Sequence, residues 1–230
     1  MNHVILLGKI FILNDIFYLS VKVALTATII NLPISIFIGW VLTKTKMPGK
    51  SILDLIILIP LAIPPVIVGF FLLIIFGKNG PLGSLIDNIF GTNIIFTWIA
   101  AVLASSIVSI PLMVRPIIVS MSDIDENLEK SARILGASHI KSFISITLPL
   151  SYKGITAGIL LGFIRAFSEF GATIIVAGNI PGKTQTVPLA IYTNIITGNN
   201  DQVLKMVGIC LILSITSILI YTKLSSSSKN

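Results

Sequence analysis

The chain has 230 residues, of which 54% are hydrophobic and 11% are charged, and its mean hydropathy is +1.00. A soluble domain of this size has no use for so much apolar surface, and the apolar runs are long enough to cross a bilayer. The net charge of +7 does not require nucleic acid, because basic residues gather on the cytoplasmic loops of membrane proteins. The composition therefore predicts an all-α, polytopic protein that lies in membrane lipid and binds no nucleic acid.

Five apolar segments can form the core transmembrane spans of a single domain covering residues 1–230. Their approximate bounds are 17–42, 55–76, 93–114, 154–177 and 206–222. Residues 4–13 are apolar but short, and we interpret them as an interfacial helix or part of a sixth span. We expect no cleaved signal peptide, because Lys9 interrupts that run and no clear small-residue cleavage site follows it.

Prolines interrupt the first two spans. Pro33 lies within the first and predicts a kink, whereas Pro60, Pro64 and Pro65 lie within the second. Because proline lacks a backbone donor, carbonyl groups freed at membrane depth need a protein partner or a polar cavity. The pattern fits both a packed kink and a polar cavity.

Basic residues are distributed unevenly between the two sides of these spans. Ten lie on one side, namely Lys44, Lys46, Lys50, Arg115, Lys130, Arg133, Lys141, Lys153, Lys223 and Lys229. Four lie on the other side, namely Lys9, Lys78, Lys183 and Lys205. By the positive-inside rule, five spans place the N-terminus outside and the C-terminus in the cytoplasm.

One charged stretch, residues 123–149, lies within the predicted cytoplasmic loop 121–153. Asp123 and Asp125 can cap a helix start, since their carboxylates accept the unpaired amide protons there. Two acid–base pairs follow at helical spacing, Glu126 with Lys130 and Glu129 with Arg133. Leu128, Ala132 and Leu135 share the apolar face of this helix.

A glycine separates this helix from a second amphipathic piece. Gly136 suits the left-handed residue that ends a helix. Ile140, Phe143 and Ile144 then fall on one side, and Pro149 forbids simple continuation. The predicted element is a helix, a glycine break, a second helix and a proline. Periodicity alone fits an ordinary amphipathic connection equally well.

The spacing within this stretch is more specific. From Gly136 there are nine residues to Ile146, and then Thr147, Leu148 and Pro149 follow. This run resembles the EAA loop of bacterial ABC importer permeases, in which a Glu-Ala-Ala-like start and three residues precede the glycine. The start here reads Glu129, Lys130, Ser131, Ala132. Lys130 occupies the acidic position of the motif and Glu129 lies one residue before it, so that the side chain in the acidic role is either of these two.

The resemblance implies a coupling helix that docks in a groove of a separate ATP-hydrolysing subunit and carries its motion into the membrane. The residues that it assigns to this coupling loop are Glu129, Ala132, Arg133, Leu135, Gly136, Ala137, Ile146, Leu148 and Pro149.

The fourth predicted span carries two charges. Arg165 lies about 16 Å into it at the helical rise, and Glu169 lies one turn further on. A charge near the middle of a bilayer is costly and should face protein or water. The pair is either a salt bridge that fixes helix packing or part of an anion path or gate, together with Ser168, Gly171 and Thr173. A proton relay is less favoured, because an intramembrane histidine or second acid is missing from the span.

The stretch SEFGATIIVAGNIPGKTQTVPLAIYTNI resembles the molybdate ABC transporter permeases, with Ser168 in place of a glycine. The segments IPLAIPPVIVGFFLLIIFGKNGPLG and SIPLMVRPI extend the resemblance, which covers about residues 17–222. It implies the type I importer (MetI-like) permease fold, a homodimer, cytoplasmic ABC ATPase subunits and an extracytoplasmic molybdate-binding protein. Sulfate and tungstate remain alternatives. Residues 187–196 form either a short outer helix on which such a binding protein docks or a plain connection.

Catalytic and cofactor sites are not predicted. A Gly-x-x-x-x-Gly-Lys-Ser/Thr loop, a His/Asp metal cluster and a nucleophile–base pair are all missing from the sequence, and the single Cys210 lies in an apolar run. We therefore expect a non-enzymatic, multi-pass subunit of the bacterial inner membrane without a cofactor or metal. A secondary transporter that couples ions through Arg165 and Glu169 is the rival class, although no inverted repeat is apparent.

Overall fold

The computed structural model describes residues 2–45 and 47–226, with side chains placed for 13–45 and 47–223. Within these ranges every regular element is helical, which confirms the all-α prediction. The α-helices are α1 Asn2–Lys44, α2 Lys50–Ala62, α3 Pro65–Phe76, α4 Pro81–Phe90, α5 Trp98–Ser122, α6 Glu126–Ile134, α7 His139–Ser142, α8 Leu148–Leu150, α9 Tyr152–Phe167, α10 Gly171–Val176, α11 Val187–Ile196 and α12 Asn200–Ser226. A π-helical turn, Phe143–Thr147, joins α7 to α8.

Three of the described helices are long and apolar enough to cross a membrane, namely Leu13–Lys44, Trp98–Ser122 and Asn200–Lys223. Two bent helix pairs bring the number to five if each pair counts as one span. The backbone of residues 2–12 continues α1 without a break. These residues therefore belong to the same helix as the first span and do not form a separate helix. Helix α1 also continues through Pro33 without a break.

The predicted second span is broken and does not run straight. Helices α2 and α3 meet at an angle of 108°. Pro65 occupies the start of α3, where its missing N–H removes no helical hydrogen bond. Ile63 is extended, with φ −98° and ψ 150°, and Pro64 keeps the chain extended after it. Two consecutive prolines thus turn one apolar run into two helices.

Helix α5 lies at the centre of the fold, between α1 and α9. In its most apolar 18-residue stretch 56% of the residues are buried, whereas only 6% are buried in the corresponding stretch of α12. The helix starts at Trp98 and not at Asn93, because Phe96 and Thr97 have non-helical backbone angles. Its buried face is rich in small residues, which allow neighbouring helices to approach closely: Ala100, Ala101, Ala104, Ser105, Ser106 and Ser109.

The predicted fourth span is also interrupted. Helix α9 ends at Phe167 and α10 begins at Gly171, so that residues 168–170 are not helical within 154–177. At its other end, α9 is bent by 70° from the preceding segment His139–Leu150. The fifth predicted span, 206–222, lies inside α12. Helix α12 packs against α9 and α11 only along one side, which leaves most of its apolar surface exposed.

Candidate functional site

We call residues 123–149 the coupling segment. Within it, α6 follows its N-cap residue Asp125, whose Oδ1 accepts the backbone N–H of Asn127 at 2.9 Å. The predicted cap is therefore confirmed at Asp125. Asp123 instead follows the last turn of α5, where its own N–H donates to the carbonyl of Val119. Only one of the two aspartates starts a helix, because α5 extends further than the predicted third span.

The two predicted ion pairs have different outcomes. Lys130 Nζ lies 3.1 Å from Glu126 Oε2 on an exposed face, as the spacing predicts. Glu129 does not pair with Arg133. Its Oε1 lies 3.7 Å from Lys44 Nζ, at the end of α1, and accepts a hydrogen bond from the Thr147 hydroxyl. The reason is tertiary, since α1 and the π-helical turn both pack beside this carboxylate.

Lys44 joins α1 to the coupling segment at a second point. Its ammonium also donates to the carbonyl of Ile124 at 3.1 Å. The side chain is only 6% exposed, and that of Glu129 is 19% exposed. Ser142 adds a long hydrogen bond of 3.5 Å to the carbonyl of Glu129. The coupling segment is thus held to α1 on its inner side by the buried Lys44 side chain.

Gly136 has φ +91°, which confirms the predicted left-handed residue at the end of α6. The N–H of Ala137 donates to the carbonyl of Ala132 at 3.0 Å, which is the hydrogen bond expected at such a helix end. A Cβ added at Gly136 would meet nothing within 4 Å, so glycine is needed here for conformation and not for space.

The outer side of the coupling segment presents apolar residues to its surroundings. Ile134 is 85% exposed and Leu135 is 88% exposed. Leu128, Ile140 and Ile144 are also exposed, and we call these five apolar residues together the coupling face. Leu135, directly before Gly136, is thus exposed, whereas Ala132 and Ala137 are half-buried. A cluster of exposed apolar side chains at a helical turn is a surface suited to a protein partner.

The chain remains helical through Pro149, contrary to the predicted stop. The preceding turn is π-helical, with the N–H of Leu148 donating to the carbonyl of Phe143. This wider turn changes the hydrogen-bond register just before the proline, and the change of direction follows at Ser151. Ile146 and Leu148 are half-buried and Pro149 is exposed. The Ile-x-Leu-Pro part of the motif therefore lies directly before the bend that leads into α9.

Arg165 and Glu169 form the predicted ion pair. Arg165 Nη1 lies 2.7 Å from Glu169 Oε2, and the Glu169 side chain is only 1% exposed. The second oxygen, Oε1, accepts the backbone N–H of Ala172 at 2.7 Å. Glu169 therefore pairs with the end of α9 and caps the start of α10 at once. Sequence reasoning missed the capping role because it treated 154–177 as one continuous helix.

The remaining residues of this predicted path lie around the same break. The Ser168 hydroxyl is exposed and donates to the carbonyl of Arg165 at 3.2 Å. A Cβ at Gly171 would lie 3.1 Å from the Cβ of Pro65, so α10 touches the start of α3 there. Thr173 is buried, and its hydroxyl has no hydrogen-bond partner among the described residues. All five residues of the predicted path thus lie in, or within three residues of, the break between α9 and α10.

Gly69 extends this contact between α3 and α10, and its position opposite Ala172 was not predicted from the sequence. A Cβ at Gly69 would lie 2.8 Å from the carbonyl oxygen and 2.9 Å from the Cα of Ala172. Two backbones meet here without intervening side chains, which small residues permit in membrane helices. The bent second span therefore packs directly on the helix that Glu169 caps.

The polar loop after α10 is closed by side-chain hydrogen bonds. Gln185 Nε2 donates to Asn179 Oδ1 at 2.9 Å, and Asn179 Nδ2 donates to Thr193 Oγ1 at 2.8 Å. The short helix predicted over 187–196 is present as α11. The N–H of Val187, at its first residue, donates to the Ser20 hydroxyl of α1 at 2.7 Å.

Residues 12–228 match the family described as Binding-protein-dependent transport system inner membrane component. The chain is 44% identical to the molybdenum transport system permease protein ModB of Haemophilus influenzae, over 90% of this chain and 91% of that protein. It is 43% identical to ModB of Escherichia coli strain K12, over 88% and 89% of the two chains. Identity to the sulfate transport system permease protein CysW of Escherichia coli strain K12 is 36%, over 76% and 60%.

The fold is shared with a solved ABC transporter that imports the acidic polysaccharide alginate. The TM-score is 0.72 at 15% identity, and the alignment covers 100% of this chain and 83% of that one. The chain therefore belongs to the family of binding-protein-dependent transport system inner membrane components: it is a multi-pass permease subunit that works with a separate ATPase and a binding protein.

Proposed function

We propose that the chain is the membrane-spanning subunit of an ATP-driven importer for molybdate. The observation that carries this proposal is the 44% identity to a molybdenum permease over about nine-tenths of both chains. Sulfate is the second candidate ion, because the identity to a sulfate permease is 36% over a shorter alignment. Tungstate has the same tetrahedral dianion chemistry and is tested beside them.

The proposed assembly contains two copies of this chain, with the translocation path between them. Two cytoplasmic ATPase subunits bind the coupling faces, and an extracytoplasmic molybdate-binding protein delivers the ion. The N-terminus lies outside and the C-terminus in the cytoplasm. The exposure of Ile134 and Leu135 supports a partner at the coupling face, since exposing large apolar side chains to water is unfavourable.

The proposed path or gate runs by the break between α9 and α10. Arg165 supplies positive potential there, and Glu169 limits how tightly an anion is held while it caps α10. The 22% exposure of the Arg165 side chain supports this role, because its guanidinium is not sealed within the protomer. The close contact of Gly69 with Ala172 supports movement of α3 and α10 as one unit.

The test is ATPase activity of the complex formed with the products of neighbouring genes, reconstituted with its binding protein. Molybdate, tungstate and sulfate are compared at equal concentration. Stimulation that is strongest with molybdate is the expected result. Strongest stimulation by sulfate would assign the second candidate. Transport by the chain alone under an ion gradient, without any ATPase, would contradict the ATP-driven mechanism.

A further inference from the structure

A cavity of about 800 Å³ lies at the end of the molecule opposite the coupling segment. It is lined by α1, by residues 96–98 at the start of α5 and by the loop 181–185. Lys22 of α1 lines this cavity, and Lys44 of the same helix binds the coupling segment. The helical rise separates these two lysines by about 33 Å, so the cavity opens at the opposite side of the membrane domain.

Lys22 is held at the wall of this cavity by an aromatic ring. Its Nζ lies 3.8 Å from the centroid of the Trp98 ring, which is a close cation–π contact. Among the described side chains, no carboxylate lies within ion-pair distance of Lys22 or of Lys183, the second cation of the cavity. Asp15 is the acid that lines the cavity, two helical turns or about 10 Å along α1 from Lys22.

The walls of the cavity are built from constrained backbone. Phe96 has φ +62°, which is unusual for an aromatic residue, and its N–H donates to the carbonyl of Val176 at 2.9 Å. A Cβ at Gly178 would lie 3.1 Å from the Phe96 ring. Across the cavity, the carbonyl of Ile180 accepts the N–H groups of Lys183, Thr184 and Gln185. Strain of this kind persists where the surroundings enforce it, and it gathers at functional sites.

We propose that this cavity is an anion-binding vestibule, in which Lys22 contacts a tetrahedral oxyanion and the more exposed Lys183 draws it in. The inference rests on the proposed function, because that function makes an oxyanion the cargo. The ammonium of Lys22 lies over the face of the Trp98 indole, so that N–H groups remain available to donate to an anion. Lys22 and Lys183 outweigh the single Asp15, which leaves the net charge of the cavity lining positive. A protein surface would meet Lys183 at the rim and would not reach the half-buried Lys22.

Trp98 provides the direct test, since the chain has two tryptophans and Trp40→Phe leaves Trp98 alone. Quenching of Trp98 fluorescence by iodide reports anions at the cavity, and quenching by the neutral acrylamide reports access alone. At constant ionic strength, molybdate should reduce iodide quenching by competition. Lys22→Gln should lower iodide quenching several-fold and leave acrylamide quenching unchanged. Lys22→Arg should retain the effect, and Asp15→Asn should increase it.

A second measurement uses the assembled complex in proteoliposomes at saturating binding protein. Lys22→Gln should lower molybdate uptake several-fold, and Lys22→Arg should restore most of it. Uptake and quenching equal to wild type in Lys22→Gln would overturn the vestibule while leaving the proposed function intact. Loss of affinity for the binding protein, without any effect of molybdate on Trp98, would make the cavity a docking surface and overturn the proposal. Absence of molybdate stimulation in the wild-type complex would instead refute the proposed function.

Discussion

Glu129 of the coupling segment and Lys44 at the end of α1 lie 3.7 Å apart, and both side chains are mostly buried. The same Glu129 oxygen accepts the Thr147 hydroxyl, which lies in the π-helical turn before α9. One carboxylate therefore connects the first membrane helix, α6 and the bend that leads to Arg165. Lys130, in contrast, pairs with Glu126 on the exposed side of the same helix.

Glu129→Gln should loosen this connection. The amide keeps the shape of the side chain but removes the charge that holds Lys44, and charge-assisted contacts of this kind contribute roughly 1–3 kcal/mol. We expect substrate-stimulated ATPase activity of the complex to fall about tenfold if about 1.4 kcal/mol of this connection is lost. Glu126→Gln is the matched control, because it removes an exposed pair on the same helix. Equal losses in the two variants would contradict the role given to Glu129.

Gly136→Ala tests the left-handed turn of the coupling segment. Alanine at φ +91° is strained by about 1 kcal/mol even though nothing lies within 4 Å of the new Cβ. Gly49→Ala, at φ +82° and equally free of neighbours, is a control with a similar conformational cost. Both variants should lower the melting temperature by similar amounts. Only Gly136→Ala should reduce stimulated ATPase activity, since it alone changes the coupling face; an equal reduction in both would argue against that.

Gly69→Ala tests the contact between α3 and α10. The new Cβ would meet backbone atoms of Ala172 at 2.8 and 2.9 Å, so a helix must move. Such overpacking typically costs about 1–3 kcal/mol. Gly208→Ala in α12 should be neutral or slightly stabilising, because nothing lies within 4 Å of its Cβ. Thermal unfolding of the two detergent-solubilised variants checks this prediction, and unchanged stability of Gly69→Ala would refute the close contact.

Substitutions at Arg165 and Glu169 can distinguish a role of this ion pair in helix packing from a role in transport. Either Arg165→Gln or Glu169→Gln should destabilise the protomer, since removing one partner of a buried pair costs about 3–5 kcal/mol. Exchange of the two residues, Arg165→Glu with Glu169→Arg, keeps an ion pair but moves the positive charge and removes the carboxylate cap of Ala172. We expect the exchange to recover part of the stability and none of the molybdate uptake. Recovery of both would show that the pair serves packing alone.

The proposed orientation is tested with single cysteines in a Cys210→Ser background. Asn88→Cys in α4 and Ser122→Cys at the end of α5 both replace exposed side chains. A membrane-impermeant maleimide added to intact cells permeable at the outer membrane should label the first and spare the second. Labelling of the second alone would invert the orientation.

Local chemistry was sufficient to predict several features of this molecule. Asp125 as a helix cap, Gly136 as a left-handed residue and the pairing of Arg165 with Glu169 follow from groups that lie within four residues of their partners. Apolar length likewise predicted the helical membrane class. Each of these features depends on interactions that a single stretch of chain makes with itself or with lipid.

Features that depend on distant parts of the chain required the tertiary structure. Glu129 has Arg133 at the favourable spacing on its own helix, yet it binds Lys44, which is far away in sequence. Lys22 and Lys183 line one cavity only because α1 and the loop after α10 meet at the same end of the molecule. The breaks at Pro64 and at Glu169 become stable because Gly69 and Gly171 let α3 and α10 pack backbone to backbone. Periodicity describes one helix at a time, whereas helix packing decides whether a charged side chain pairs with a local or a distant partner.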